Sequence, residues 1–408
     1  MSRIPPEPSA ATLKKRQTEI LRQTSAREPG YGRIPINPLG LRQVGAAFKR
    51  TLTPWRALNW TGYAIGFGLF ELGLRGAQIL DDRLFPEWRE QKIDAPVFVI
   101  GNPRSGTTML HRLLSLDEAN FAPYTLAHSL FPSVGVRRLM SLGAAIDPKL
   151  PGRPLRRFVD GINSLFFSGW DGIHELGIDK TEEDEATFLF SFNTMNFCLT
   201  APDMESLLPL AKSDEDHVHF QRRFMAYYEA QMRRHLYADG QDRRFLTKNV
   251  FMIGRLERLD ERFPDAKYVY LLRDPYESIP SFLSMWWEKW VSDDADFPKD
   301  GRDTRILAEL AVYFYERAMK LRREIGEDRF LIVDYRELVR DAKGTVERIY
   351  GFLGLEASPE FCAELEKITA SQREYESSHD YSLEDFGLSR EWVYGRLGWL
   401  FDEFGFER

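Results

Sequence analysis

Val97-Phe98-Val99-Ile100 is a short apolar run rich in β-branched side chains, and it passes straight into Gly101-Asn102-Pro103-Arg104-Ser105-Gly106. A run of this kind reads as a strand buried on both faces, the kind found in parallel sheets covered by helices. Thr107-Thr108 follow, and Met109, Leu110, Leu113 and Leu114 then recur at helical spacing, so a helix begins at the threonines. A strand, a glycine-bounded loop and a helix in this order aim backbone N–H groups and the positive end of the helix at one point. The stretch therefore reads as a cradle for an anion, in the first instance a phosphate.

The rest of the chain repeats the alternation. Phe245–Lys248, Lys267–Leu272 and Phe330–Val333 read as strands, and Met252–Arg262, Ile306–Ile325 and Thr345–Leu353 as helices between and after them. Helices are also expected over Asp184–Phe197 and His219–Leu236 and in the tail beyond Pro359, whereas 117–180 reads as irregular, with substrate-facing loops and short helices. The expected fold class is α/β: a P-loop-containing three-layer fold with a central parallel sheet and helices on both faces. Residues 91–408 would form this domain, and 1–90 an N-terminal arm followed by an apolar helix. Residues 1–55 show no pattern of a cleaved signal peptide. The apolar segment 60–80 contains Glu71, Arg75 and many glycines, whereas a membrane span needs roughly 20 uninterrupted apolar residues. It reads first as a helix packed on the domain and second as a peripheral membrane contact.

Charge and cysteine content narrow the partners. A net charge of −7 argues against a general nucleic-acid binder. Two cysteines, Cys198 and Cys362, exclude a disulfide framework and a cysteine-rich zinc site, and fit a reducing, cytoplasmic setting.

The spacing Gly101-x-x-x-x-Gly106 is that of a Walker A loop, but the lysine that should follow is Thr107, and the cation sits inside the loop as Arg104. Asp334 is the nearest candidate for a magnesium-holding carboxylate and lies far downstream. Nucleoside triphosphate chemistry needs both lysine and metal, so the loop better suits a 5′-phosphate joined to a less charged group. A second anion signal is Arg273-Asp274-Pro275 at the end of a buried strand, with Ser281 eight residues after Arg273. An arginine there is a fork for phosphate, although an ordinary strand-closing ion pair would look the same.

Together the two signals resemble sulfotransferases. Pro103-Arg104-Ser105-Gly106-Thr107-Thr108 is similar to their 5′-phosphosulfate loop, and Arg273-Asp274-Pro275 with Ser281 to their 3′-phosphate motif. Phe263-Pro264-Asp265-Ala266-Lys267, Val333-Asp334-Tyr335-Arg336-Glu337-Leu338 and His379-x-Tyr381 also fit, over roughly 95–400. The likeness is to the bacterial branch with arginine in the first loop, which is similar to tyrosylprotein sulfotransferases. It implies 3′-phosphoadenosine 5′-phosphosulfate as donor, no metal, and in-line sulfuryl transfer to a hydroxyl or amine of a small-molecule, sugar or lipid acceptor. It places Arg104, Ser105, Gly106, Thr107 and Thr108 at the 5′ end, Arg273 and Ser281 at the 3′-phosphate, and Tyr335 near the adenine.

The resemblance also makes Lys248 a catalytic lysine, with Arg104 stabilising the leaving oxygen. It departs at the base. Relatives carry a histidine two to four residues after the lysine, where this chain has Val250, Phe251 and Met252. His128 is then the first candidate, with an ordinary pKa suited to the task. The acidic cluster His174-Glu175 and Glu182-Glu183-Asp184-Glu185 is the second, with Glu182 and Glu185 preferred. Phe166, Phe167, Trp170, Trp286, Trp287 and Trp290 hint at an apolar acceptor pocket, although core packing would explain most of them. Two other readings share parts of the pattern: a P-loop nucleotide kinase or NTPase, and a nucleotide-binding interaction protein without activity.

Overall fold

The computed structural model describes residues 31–167, 177–216, 218–240, 242–372 and 381–408. In chain order, α1 (Pro38–Arg50) and α2 (Pro54–Leu84) precede β1 (Val97–Gly101) and α3 (Thr107–Ser115). β2 (Phe121–Pro123), α4 (Leu126–Leu130), α5 (Val134–Ile146), α6 (Pro154–Phe167), α7 (Glu185–Leu189), α8 (Met204–Ala211) and α9 (Val218–Asp239) lead to β3 (Arg244–Lys248). A 3-10 turn (Val250–Arg255) and α10 (Leu256–Arg262) lead to β4 (Lys267–Leu272), α11 (Pro275–Asp293), α12 (Arg302–Ile325) and β5 (Phe330–Asp334). α13 (Tyr335–Arg340), α14 (Ala342–Leu353), α15 (Pro359–Gln372) and α16 (Arg390–Phe404) follow.

The five strands form one all-parallel sheet in the order β2-β3-β1-β4-β5. Alternate side chains divide between two cores, as the strand period of two demands. Phe98, Ile100, Phe245, Tyr268 and Tyr270 join one core, with residues of α7 to α12 and α16. Val97, Val99, Leu246, Val269 and Leu271 join the other, with Leu110, Leu113 and Leu114 of α3 and the inner faces of α13 to α15. Both faces are thus covered, and the expected three-layer architecture is the observed one. Every residue of β1 is buried, and complete burial of such side chains stabilises by about 1.5–3 kcal/mol each.

Register positions the site. Lys248 lies opposite Val99, and Leu271 opposite Gly101. The loop after β1 is therefore flanked by Lys248 on one side and by Arg273, just beyond β4, on the other. This is where strand order reverses, the place ligands occupy in such sheets.

Three local expectations need correction. The stretch 117–180 holds the edge strand β2 and three helices, one of them 14 residues long. Asp184–Phe197 is not one helix: α7 stops at Leu189, Phe192 adopts a left-handed φ of +52°, and a 3-10 turn (Met195–Leu199) follows. The helix before β4 begins as a 3-10 turn, whose start Asn249 caps by accepting from the Phe251 N–H. Helix α2 runs well beyond 60–80, and its Leu74 enters the same core as Val44 and Ala47 of α1.

Candidate active site

The loop is anchored before it turns. Gly101 must lack a side chain, since a Cβ there would lie 2.8 Å from the Leu271 carbonyl oxygen. Asn102 is buried; its amide donates to the Ala311 carbonyl (2.8 Å) and its oxygen accepts from the Tyr270 hydroxyl (3.1 Å). Arg104 then takes φ +68° and Gly106 φ +85°. An arginine in this region costs on the order of 1–3 kcal/mol unless its surroundings hold it there. Here they do: Arg273 Nη1 donates to the Arg104 carbonyl (2.8 Å), and Arg104 Nε donates to Ser281 Oγ (3.1 Å). The Ser105 hydroxyl is buried with no partner among the described residues, which fits an anion seated in the loop. Gly106 caps α3 without a side chain, so the first N–H groups of the helix face the same point.

The two anion motifs, about 170 residues apart, therefore close into one cradle. Tyr335, first residue of α13, seals its side: a Cβ on Gly106 would meet the ring at 2.7 Å, and the Arg273 guanidinium lies 4.5 Å over the same ring. Asp274 fixes the turn after Arg273 by capping α11 (2.8 Å to the Tyr276 N–H), and Asp334 caps α13 likewise. The Tyr315 hydroxyl donates to the Arg273 carbonyl (2.8 Å). Arg104, Gly106, Arg273, Ser281 and Tyr335 are thus brought into contact with one another, and Thr108 faces the other way, to Lys248.

The opposite wall is Lys248. It is 2% exposed, and its Nζ lies 2.8 Å from Thr108 Oγ1 and 3.0 Å from a carboxylate oxygen of Glu183. The acid facing the lysine is thus Glu183, neither Glu182 nor Glu185. Glu182 is buried, with its carboxylate 3.8 Å from Arg112 Nη2 and its N–H bonded to the Tyr124 carbonyl (3.2 Å). Glu185 accepts from Thr194 and from Asn249 (2.7 Å). Asp184 accepts from Tyr228 and from Asn249 (2.8 Å). Burial raises Glu185 from 4.5 to about 7 and Asp184 from 3.8 to about 6. Asn249, next to Lys248, thereby ties the acidic turn to the end of β3 and leaves Glu183 against the lysine.

His128 is a correction as well. It closes a capping box at the start of α4: its N–H donates to Thr125 Oγ1 (3.2 Å), and its Nδ1 accepts from the Thr125 N–H (3.3 Å). Its ring packs on His235. Burial, aided by Arg137, pushes its pKa down to about 3, too weak for a base near neutrality. Trp286 and Trp290 are core residues, with Trp290 Nε1 donating to the Cys198 carbonyl (2.8 Å). Phe166, Phe167, Trp170, His174, Glu175 and His379 fall outside the described side chains. Sequence reasoning missed Glu183, Asn102, Tyr270 and Tyr315. Only the neighbourhood of Glu183 carried a signal, as one of four consecutive acids.

Comparison with known proteins decides the family. The sulfotransferase family model matches residues 96–359, well over half of the chain. The chain belongs to the sulfotransferase family. Its curated relatives include the omega-hydroxy-beta-dihydromenaquinone-9 sulfotransferase Stf3 of Mycobacterium tuberculosis and that of Mycobacterium bovis, each 24% identical over 335 residues. The alignments cover 77% of this chain and 76% of the relatives. Among solved structures, the sulfotransferase STF9 of Mycobacterium avium superposes with a TM-score of 0.70 at 19% identity, over 100% of this chain and 99% of that one. STF1 of Mycobacterium tuberculosis gives 0.64 at 22% identity, over 93% and 97%. These sulfotransferases share the fold, and the likeness is to the bacterial branch. The kinase and non-enzyme readings give way to the family assignment.

Proposed function

We propose that this sulfotransferase moves the sulfuryl group of 3′-phosphoadenosine 5′-phosphosulfate to a hydroxyl of a lipid-like acceptor. The observation that carries the donor is the closure of the two anion motifs on each other through Arg104, Arg273 and Ser281. Such a pair of sites suits a nucleotide phosphorylated at both ends, and discriminates against ATP, which has no 3′-phosphate. The donor, when bound, supplies an activated sulfuryl group on a phosphate leaving group. The residues do the rest. The loop N–H groups, Arg104 and the Ser105 and Thr107 hydroxyls hold the 5′ end. Arg273 and Ser281 hold the 3′-phosphate, and Tyr335 borders the base. Lys248, beside Thr108, neutralises charge on the bridging oxygen as its bond to sulfur breaks. Glu183 receives the acceptor's hydroxyl proton as the new sulfur–oxygen bond forms. With three cations converging on the site, no metal is required. The acceptor class is supported by the Stf3 relatives, which are omega-hydroxy-beta-dihydromenaquinone-9 sulfotransferases.

Calorimetry of the purified chain without magnesium tests the donor site. Micromolar binding of adenosine 3′,5′-bisphosphate is expected, lost in Arg273→Ala. Equal affinity for ADP or Mg-ATP would overturn the assignment. Sulfate transfer from labelled donor to long-chain alcohols, hydroxylated quinones and sugars tests the acceptor; transfer to sugars alone would refute the lipid class.

A further inference from the structure

Helix α2 is arranged opposite to an ordinary surface helix, which shows its charges to water and its apolar stripe to the core. Apart from Arg56 in its first turn and the exposed Arg83 in its last, its charged residues, Glu71, Arg75, Asp81 and Asp82, turn towards the protein. Glu71 and Arg75 pair with each other at 2.6 Å. Asp81 accepts from the N–H groups of Val134 (2.8 Å) and Gly135 (2.9 Å) at the start of α5, and with Asp82 it holds the buried Arg234. The outward face carries Leu58, Ile65, Leu69, Leu72, Ile79 and Leu80, each 44–68% exposed, interrupted only by small and hydroxyl residues. From Leu58 to Leu80 this stripe is about 33 Å long at helical rise. So long an uncharged apolar strip marks an interaction surface.

The neighbouring α5 and α6 add to it. Leu139, Leu142, Ile146 and Phe158 are 42–68% exposed. Residues 134–167 contain six basic side chains and two acids, a local balance of +4 in a chain of net charge −7. Asp147 is buried and spent on the backbone N–H groups of Leu155 (2.7 Å) and Arg156 (3.2 Å), and Asp160 pairs with Arg156 (2.7 Å). No described helix is long and apolar enough to cross a membrane.

We propose that the outward face of α2 and the α5–α6 hairpin dock on the surface of an anionic lipid bilayer, with α2 lying in the headgroup plane. The apolar strip supplies insertion and the basic hairpin supplies attraction to anionic headgroups. Charge decides between this occupant and a second copy of the chain. An anionic lipid layer neutralises the basic hairpin, whereas a second copy of the same surface offers it no complementary charge. The docking stands on the surface alone, whatever the acceptor.

Flotation of the full-length protein with phosphatidylcholine vesicles, with and without phosphatidylglycerol, tests it. The protein should float with the anionic vesicles, and at least roughly tenfold less with phosphatidylcholine alone. The double variant Leu69→Asp, Leu72→Asp should remain in the bottom fraction, with unchanged circular dichroism and melting temperature, because both positions face out. Lys149→Glu with Arg157→Glu should cut anionic binding by about tenfold, and added salt should do the same. Failure of the native protein to float with either vesicle overturns the proposal, as does flotation of the Asp variant at the native level. A dimer in light scattering that the Asp variant converts to monomer, without flotation, assigns the face to self-association instead.

Discussion

Arg104 shows how much of the site depends on single residues. Its left-handed backbone is sustained by a hydrogen bond from Arg273, just beyond β4, and its side chain by one to Ser281 on α11. Gly106 is under a stricter constraint, since φ +85° and the Tyr335 ring both exclude a side chain. Gly106→Ala should destabilise the protein by about 1–3 kcal/mol. It should also abolish binding of adenosine 3′,5′-bisphosphate, read by thermal melting and calorimetry; full retention of binding would refute the cradle geometry. At the other wall, Glu183→Gln should lower kcat about 10²-fold or more while nucleotide affinity stays within a factor of two. Glu182→Gln should leave kcat within a few-fold of native, and a reversal of that order would displace Glu183 as base. Arg104, Arg273 and Ser281 were legible in the sequence because each sits at a fixed offset from a strand end. Glu183 was not, because four consecutive acids look alike until Asn249 and Tyr228 claim two of them.

At the level of elements, the link between the acidic turn and the end of β3 is a buried polar network, and it titrates. Burial holds the Glu185 carboxyl at about 7 against an ordinary 4.5. Below about pH 4.5 folded and unfolded chains both carry the proton; between 4.5 and about 7 only the unfolded chain releases it. Stability contributed by this group is therefore complete at the acidic end and is lost as pH rises through about 7. Melting curves should show this slope in the native protein and a flatter profile in Glu185→Gln, with Asp184 left to give part of the slope; an equal slope in both would contradict the buried network. Asn249→Ala leaves two buried carboxylates short of a donor and should cost more than about 2 kcal/mol, measured by urea unfolding. Strands β1, β3, β4 and β5 were visible because continuous apolar runs bounded by polar turns have few other uses. β2 was missed because Phe121-Ala122-Pro123 is three residues long and ends on proline. Its strand character comes from pairing with β3.

Across the whole molecule, the N-terminal helices and the sheet share one core. Val44, Ala47 and Leu74 belong to the cluster that covers one sheet face. Arg234, 2% exposed, rests on the Trp88 ring at 3.9 Å and pairs with Asp81 and Asp82. Removing residues 1–90 would take away both carboxylates, the Trp88 ring and the apolar burial of Val44, Ala47 and Leu74 together. The truncated chain should be insoluble or melt far below the full-length protein, and a soluble 91–408 fragment with native melting would show the arm to be dispensable.

The sequence by itself determined the parallel α/β architecture, the anion loop and its partner arginine, since strand burial, glycine spacing and strand-end position are local properties with few alternatives. Only the tertiary structure decided which acid meets Lys248, that His128 serves a helix end, and which way α2 turns its charges. Each of these depends on what residues far away in the chain bring to the same place: Asn249 from just beyond β3 for the acids, His235 from α9 for the histidine, and Arg234 for Asp81 and Asp82. A carboxylate or imidazole takes its role from its burial and its partners, and neither can be read from the residue's own position in the chain.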